Sequence, residues 1–154
     1  MNAIRRFATL CAFSAAAFGA AGAQAQQVDA EDAIAYRQSL YKLILWNFGT
    51  LSGMARDRIE FDREEFRMRA LRVSNFSRQL SEGFGEGTAT GAPTDALPDI
   101  WTNKADFDTK LADFQREAHK LYTMSASANE EALKAQFSAV AGTCKACHDS
   151  YRKD

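Results

Sequence analysis

The chain has 154 residues, 46% of them hydrophobic, with 19 basic and 20 acidic side chains and a formal charge of −1. That balance excludes a nucleic-acid-binding surface built on a basic stripe. The length is that of one ordinary domain.

Met1 to Arg6 carries two arginines, and Phe7 to Ala21 follows as an uncharged, alanine-rich apolar run. Ala23-Gln24-Ala25 supplies the small-x-small pattern that signal peptidase reads, which predicts removal of residues 1–25 as an export signal. Ala21-Gly22-Ala23 is the alternative cleavage pattern. The apolar run is shorter than the roughly 20 residues a membrane span requires. Ala8, Thr9 and Leu10 ahead of Cys11 do not form a lipoprotein box. The expected product is a single periplasmic domain of residues 26–154, with 17 basic and 20 acidic side chains once Arg5 and Arg6 are gone, and a charge of −3. No other segment is apolar enough to cross a bilayer, so no membrane association and no nucleic-acid partner are expected.

Both prolines, Pro93 and Pro98, fall in the stretch from Gly83 to Pro98, together with Gly85, Gly87 and Gly91. Chain breakers are scarce elsewhere in residues 26–154, which predicts long helices. In the first, Asp29 is placed to cap, and Ile34, Tyr41, Ile44, Phe48 and Leu51 share one face. In the second, Asp62 and Glu65 have capping-box spacing, and Phe66, Ala70, Val73, Ser77, Leu80 and Phe84 step by fours and threes. The third opens after Trp101 and runs Phe107, Leu111, Phe114, Ala118, Leu121, Ser125. The fourth opens at a Ser127-x-x-Glu130 box and runs Leu133, Phe137, Val140, Cys144, Cys147, Tyr151. Such steps put residues on one side of an α-helix, and no segment alternates as a strand does. Four amphipathic helices with short connections and one longer loop predict an all-α, antiparallel four-helix bundle.

The last stripe carries the chemistry. Cys144-Lys145-Ala146-Cys147-His148 is the attachment pattern for a c-type haem. Residues three and four apart on a helix have Cβ atoms about 5–6 Å apart, so both thiols and the imidazole can face one planar ligand. Cys144 and Cys147 are then expected to form thioethers to one covalent haem c, with His148 as the axial ligand of its iron. Lys145 and Ala146 would turn away. The competing readings are weaker. A thioredoxin-like pair belongs beside a βαβ unit. A structural zinc site wants four ligands, and the only other histidine is His119. A bare disulfide leaves His148 unexplained.

Glu31-Asp32-Ala33 to Ser39, the glycines Gly85 and Gly87, Pro98-Asp99-Ile100-Trp101, and the C-terminal Cys144 to Arg152 occur in the order found in the class II cytochromes c. Over essentially the whole of residues 26–154 the chain resembles the cytochrome c′ family. That resemblance implies a periplasmic haem protein, not an enzyme, that exchanges electrons with redox partner proteins and binds the gases NO and CO. Relatives that are low-spin carriers place a methionine on the first helix four residues after an arginine. Here Arg37 is followed at that distance by Tyr41, and Met54, Met68 and Met124 lie off the assigned stripes. Tyr41 is therefore expected over the iron, crowding an open sixth position, rather than ligating as a phenolate.

The resemblance also implies that Arg37, with Gln38 nearby, meets a haem propionate, and that Arg152 lies close to His148 on the proximal side. Asp149 and His119 are expected at the surface. Two further functions stay open: a dedicated nitric-oxide-binding or detoxifying protein, and a six-coordinate electron carrier. A peroxidase would need a distal acid–base group that Tyr41 supplies poorly. Leu40, Leu43, Leu45 and Trp46 extend the apolar surface of the first helix beyond one core, and relatives pair through their first two helices, so a homodimer is expected.

Overall fold

The computed structural model describes residues 28–153; the expected export signal and Cys11 lie outside them. Helix α1 spans Ala30–Ala55 and α2 Arg63–Gln79, which tightens into a 3-10 turn at Leu80–Phe84. A single turn, α3, follows at Asp99–Thr102, then α4 at Lys104–Met124 and α5 at Glu130–Tyr151. Helix α1 packs on α2, α2 on α4 and α4 on α5, while α1 and α5 touch sparsely. This is the expected four-helix bundle, with α1, α2, α4 and α5 as its members.

The helix starts follow their caps. Asp29 accepts from the Glu31 amide at 2.8 Å, and Asp62 from the Glu65 amide at 2.8 Å. Only half of the second capping box forms, because the Glu65 carboxylate is taken by Arg69 at 2.7 Å. The expected Ser127 box is not used. Helix α5 begins two residues later, where the Asn129 side chain accepts from the Ala132 amide at 2.9 Å. Asparagine is as good an N-cap as serine, and Ser127 is occupied by the turn that closes α4, its amide bonding the Met124 carbonyl.

The stripes of α2, α4 and α5 are buried as expected, except that Cys144 and Cys147 are half-buried. Ser77 and Ser125 tolerate full burial because each hydroxyl donates to a carbonyl three residues back, at 2.8 and 2.6 Å. Helix α1 departs from the reading. Its buried residues are Ala33, Ile34, Arg37, Leu40, Ile44, Asn47, Leu51 and Met54, of which Ile34, Ile44 and Leu51 were expected, and all but Ile34 alternate by four and three. Leu40 and Met54, expected outside the core, are 4% and 1% exposed. Tyr41 and Phe48 flank this seam half-buried, on the side turned towards α5. Among the described residues, no helix is long and apolar enough to cross a membrane.

Candidate haem site

Where α1 and α5 stand apart, the bundle encloses a cavity of about 560 Å³, within the roughly 300–1,000 Å³ typical of cofactor pockets. Helix α1 contributes Arg37, Tyr41, Ile44 and Phe48. Phe84 and Phe107 form the floor with Leu111 and Phe114. Helix α5 contributes Cys144, Cys147, His148 and Tyr151, and the loop segment Thr94–Ala96 closes one edge. The walls are mostly aromatic and aliphatic, with polar groups on the α5 face, at the rim and, on α1, Arg37 and the Tyr41 hydroxyl.

Cys144 and Cys147 are both free thiols, half-buried. Burial, then the neighbouring Cys147, pushes the Cys144 thiol up to about 11, and burial also raises Cys147. A redox-active C-x-x-C pair depends on a lowered thiol pKa, so this environment argues against thioredoxin-like chemistry. No three histidine, cysteine or acidic side chains among the described residues gather around a point a bare metal ion could occupy. Cys144, Cys147 and His148 are spread along a cavity wall, an arrangement suited to a flat, extended group. Lys145 and Ala146 are exposed, as the spacing required.

His148 is half-buried, and burial, reinforced by Arg152, lowers its pKa, leaving a neutral imidazole. Arg152 Nη1 lies 3.3 Å from His148 Nδ1. A guanidinium has only donors, so it withdraws electron density from this ring where a carboxylate would supply it. Asp149 is exposed and pairs with Lys145 at 2.5 Å. His119 is exposed beside Arg78, 3.2 Å away, and away from the cavity lining.

On the opposite wall, Tyr41 meets the edge of Phe84 with ring centroids 6.5 Å apart. Burial raises its pKa, with further contributions from Cys147 and Cys144, so the phenol stays protonated. None of Met54, Met68 and Met124 lines the cavity. Gln38 is exposed, and its amide donates to the Pro93 carbonyl at 2.9 Å.

Arg37 lines the cavity, and its guanidinium is bonded to the loop after α2. Nη1 donates to the carbonyls of Gly83 (2.8 Å) and Thr88 (2.9 Å), and Nη2 lies 3.4 Å from Thr94 Oγ1. The same group sits over the rings of Phe84 and Trp101, 4.8 and 5.4 Å from their centroids. Gly83 makes this approach possible, since a Cβ there would stand 2.6 Å from Arg37 Cβ. Thr88, Thr94 and the loop edge were not singled out from sequence. Threonines between glycines and prolines carry no local sign of the helix they will meet.

The family model described as Cytochrome C′ matches residues 32–152. The chain belongs to the cytochrome c′ family. Cytochrome c′ of Halomonas halodenitrificans is 39% identical over 129 residues, covering 80% of this chain and 98% of that protein. The solved cytochrome c prime of Shewanella frigidimarina superposes with a TM-score of 0.78 at 40% identity, over 81% of this chain and 97% of that one. A nitric oxide complex of a variant of cytochrome c prime from Alcaligenes xylosoxidans has a TM-score of 0.76 at 33% identity, over 82% and 98% of the two chains. Family members bind covalent haem c as class II c-type cytochromes. The cavity of this chain fits that cofactor in volume, in the apolar character of its walls and in its two free thiols with a neutral imidazole on one face.

The C-terminal end of α5 is fastened to α4 by Tyr151, whose hydroxyl donates to Asp106 Oδ2 at 2.6 Å. This bond holds the Asp106 carboxyl below its usual range and pushes Tyr151 up to about 12. The carboxyl's value is depressed in the folded state, so its share of stability is present above its ordinary value of about 3.9. That share is lost as pH falls through the folded value. The phenol's value is raised, so its share is complete below about 10 and is lost as pH rises through about 12. Tyr151→Phe is therefore expected to flatten the acid and alkaline limbs of the urea-midpoint profile. Parallel wild-type and variant profiles would mean that the bond contributes nothing.

Proposed function

We propose that the protein is a periplasmic electron-transfer cytochrome whose iron has an open sixth position able to take NO or CO, exported by way of residues 1–25. Cys144 and Cys147 hold haem c through thioethers, and His148 is the axial ligand. When bound, the haem supplies an iron that accepts and releases one electron and offers a site to diatomic gases. The observation that carries the open position is the distal wall. Where a low-spin relative would offer a thioether it presents Tyr41, which burial keeps neutral, whereas tyrosine ligates iron in catalase-type sites.

The protein's own residues then divide the work. The α5 face fixes the cofactor, and Arg152 weakens the imidazole as an electron donor by withdrawing from Nδ1. Tyr41 and Phe48 crowd the far side and exclude bulky ligands, and the apolar floor keeps the interior dry. Gas binding is supported by the nitric oxide complex of the Alcaligenes relative. The optical spectrum of the holoprotein tests this reading. A broad high-spin Soret band that shifts sharply with carbon monoxide is expected. Sharp low-spin α and β bands indifferent to carbon monoxide would mean a sixth protein ligand and a dedicated electron carrier.

Tyr41 sets access to the sixth position. Tyr41→Ala is expected to raise the carbon monoxide association rate at least tenfold, measured by flash photolysis. A rate equal to wild type would remove Tyr41 as the gate.

We also read the protein as a homodimer joined through α1 and α2. Leu43 and Trp46 are 44% and 76% exposed, one helical turn apart on α1, an apolar surface out of keeping with a solvated face, while Leu45 borders the cavity. Leu40 is not part of it. Sedimentation at micromolar concentration is expected to give twice the chain mass, and Trp46→Glu to give the monomer. A monomeric wild type at that concentration would contradict the assembly.

A further inference from the structure

Helix α5 ends at Tyr151, and Arg152 follows in extended conformation, φ −124° and ψ 140°. A residue just past the last turn of a helix ordinarily frays, and a long side chain carried on it would have no fixed origin. Here the backbone on both sides of Arg152 is held. The Leu97 amide donates to the Tyr151 carbonyl at 3.0 Å, and the Lys153 amide donates to the Asp95 carbonyl at 2.8 Å. Ala96 and Arg152 face one another as an antiparallel bridge. The segment that makes this bridge is itself tied to α1, by Gln38 on the Pro93 carbonyl and Arg37 on Thr94 Oγ1. Thr94 Oγ1 in turn accepts from the Ala96 amide at 3.2 Å. Pro93 and Pro98 bound the segment, each with φ locked by its ring.

We propose that residues 94–97 are a positioning strap that fixes Arg152 against the back of His148, so that the loop, and not α5 alone, sets the proximal side of the iron. The proposal rests on the reading of His148 as the iron ligand. Arg152 Nη1 lies 3.3 Å from His148 Nδ1; with the other ring nitrogen on the iron, Nδ1 carries a proton, so the guanidinium acts on the ring as a close cation and not as a hydrogen-bond partner. Released from the strap, it would swing into solvent, where its charge is screened. The strap also gives the proximal side a mechanical link to α1, because Arg37 and Gln38 stand one turn before Tyr41.

The test uses the ferrous holoprotein and reads the iron–imidazole stretching band by resonance Raman. Lys153→Pro removes the amide that bonds Asp95, and the extended backbone of Arg152 suits a following proline, so α5 is left intact. Lys153→Ala keeps that amide and gives up only the long, exposed contact from Nζ to the Thr94 carbonyl, 3.4 Å. Arg152→Ala removes the guanidinium. The expected result is a shifted band in Arg152→Ala, a shift of the same sign and at least half its size in Lys153→Pro, and an unmoved band in Lys153→Ala. A wild-type band in Lys153→Pro beside a shifted one in Arg152→Ala would overturn the strap. An unmoved band in Arg152→Ala would overturn the contact it serves. A holoprotein with no iron–imidazole band at all would overturn the ligand assignment, a failure distinct from both. Unchanged far-UV circular dichroism checks the fold. Where Lys153→Pro does not accumulate, a glycine inserted between Ala96 and Leu97 slips the bridge by one residue without touching α5, and the same band decides.

Discussion

The architecture depends on α5 giving its inner face to chemistry instead of to a partner helix. From Leu133 to Val140 that face packs as an ordinary core seam, with Phe137 stacked on Phe48 at 4.5 Å. From Cys144 onward it carries two thiols and an imidazole, which cannot replace leucines against α1 without leaving a void. Interiors pack to crystal-like density, so a void of about 560 Å³ must be stabilised by what fills it. Helices α1 and α2, and α4 and α5, pack closely so that the α1–α5 side can stay open. A covalent cofactor suits such a site, because the filling group cannot leave and let the walls collapse.

The buried Arg37 follows from that opening. With α1 held off α5, the seam of α1 near its start meets the loop after α2, whose carbonyls would otherwise lack partners. A guanidinium at 2% exposure with no carboxylate partner among the described residues needs compensation, since burying a charge is costly unless it is hydrogen-bonded. Two carbonyls, two threonine hydroxyls and two aromatic faces supply it, and burial still lowers its pKa. One residue thus anchors the loop that closes the cavity edge and places positive charge beside the cofactor.

How much of this was legible in the sequence differs by element. The seams of α2, α4 and α5 are built from apolar residues, so their period could be read directly, and the C-x-x-C-H spacing identified the chemistry. The seam of α1 was only partly legible, through Ile34, Ile44 and Leu51, because two of its eight buried residues, Arg37 and Asn47, are polar. A hydrophobicity pattern skips them and slides onto Tyr41 and Phe48, which face the cavity. Leu40 and Met54 then look like surplus. Their burial became apparent only once Arg37 had the loop and Asn47 had the Leu43 carbonyl and Arg69 as partners, at 2.8 and 3.3 Å. The strap was not legible for a related reason. Its bonds are between backbone groups of residues more than fifty positions apart, and backbone groups are the same in every residue.

On the function proposed, the two sides of the cavity would act in one direction on the iron. On the distal wall, desolvation is the largest cause of the raised Tyr41 pKa, ahead of the cysteines. Thioether formation abolishes the titration of both sulfurs and leaves desolvation in place, so the phenol remains neutral in the loaded protein. On the proximal wall, the donor-only Arg152 lies against His148 and, with His148 as the proposed ligand, would weaken its bond to the iron. On the function proposed, a weakened axial ligand and a crowded, non-ligating distal group would together favour small ligands that bind strongly enough to displace either obstacle. Substituting one wall alone shifts the balance between them. Because α1 carries Tyr41 and, through Arg37 and Gln38, also holds the strap on Arg152, the helix that crowds one side of the iron supports the group that tunes the other.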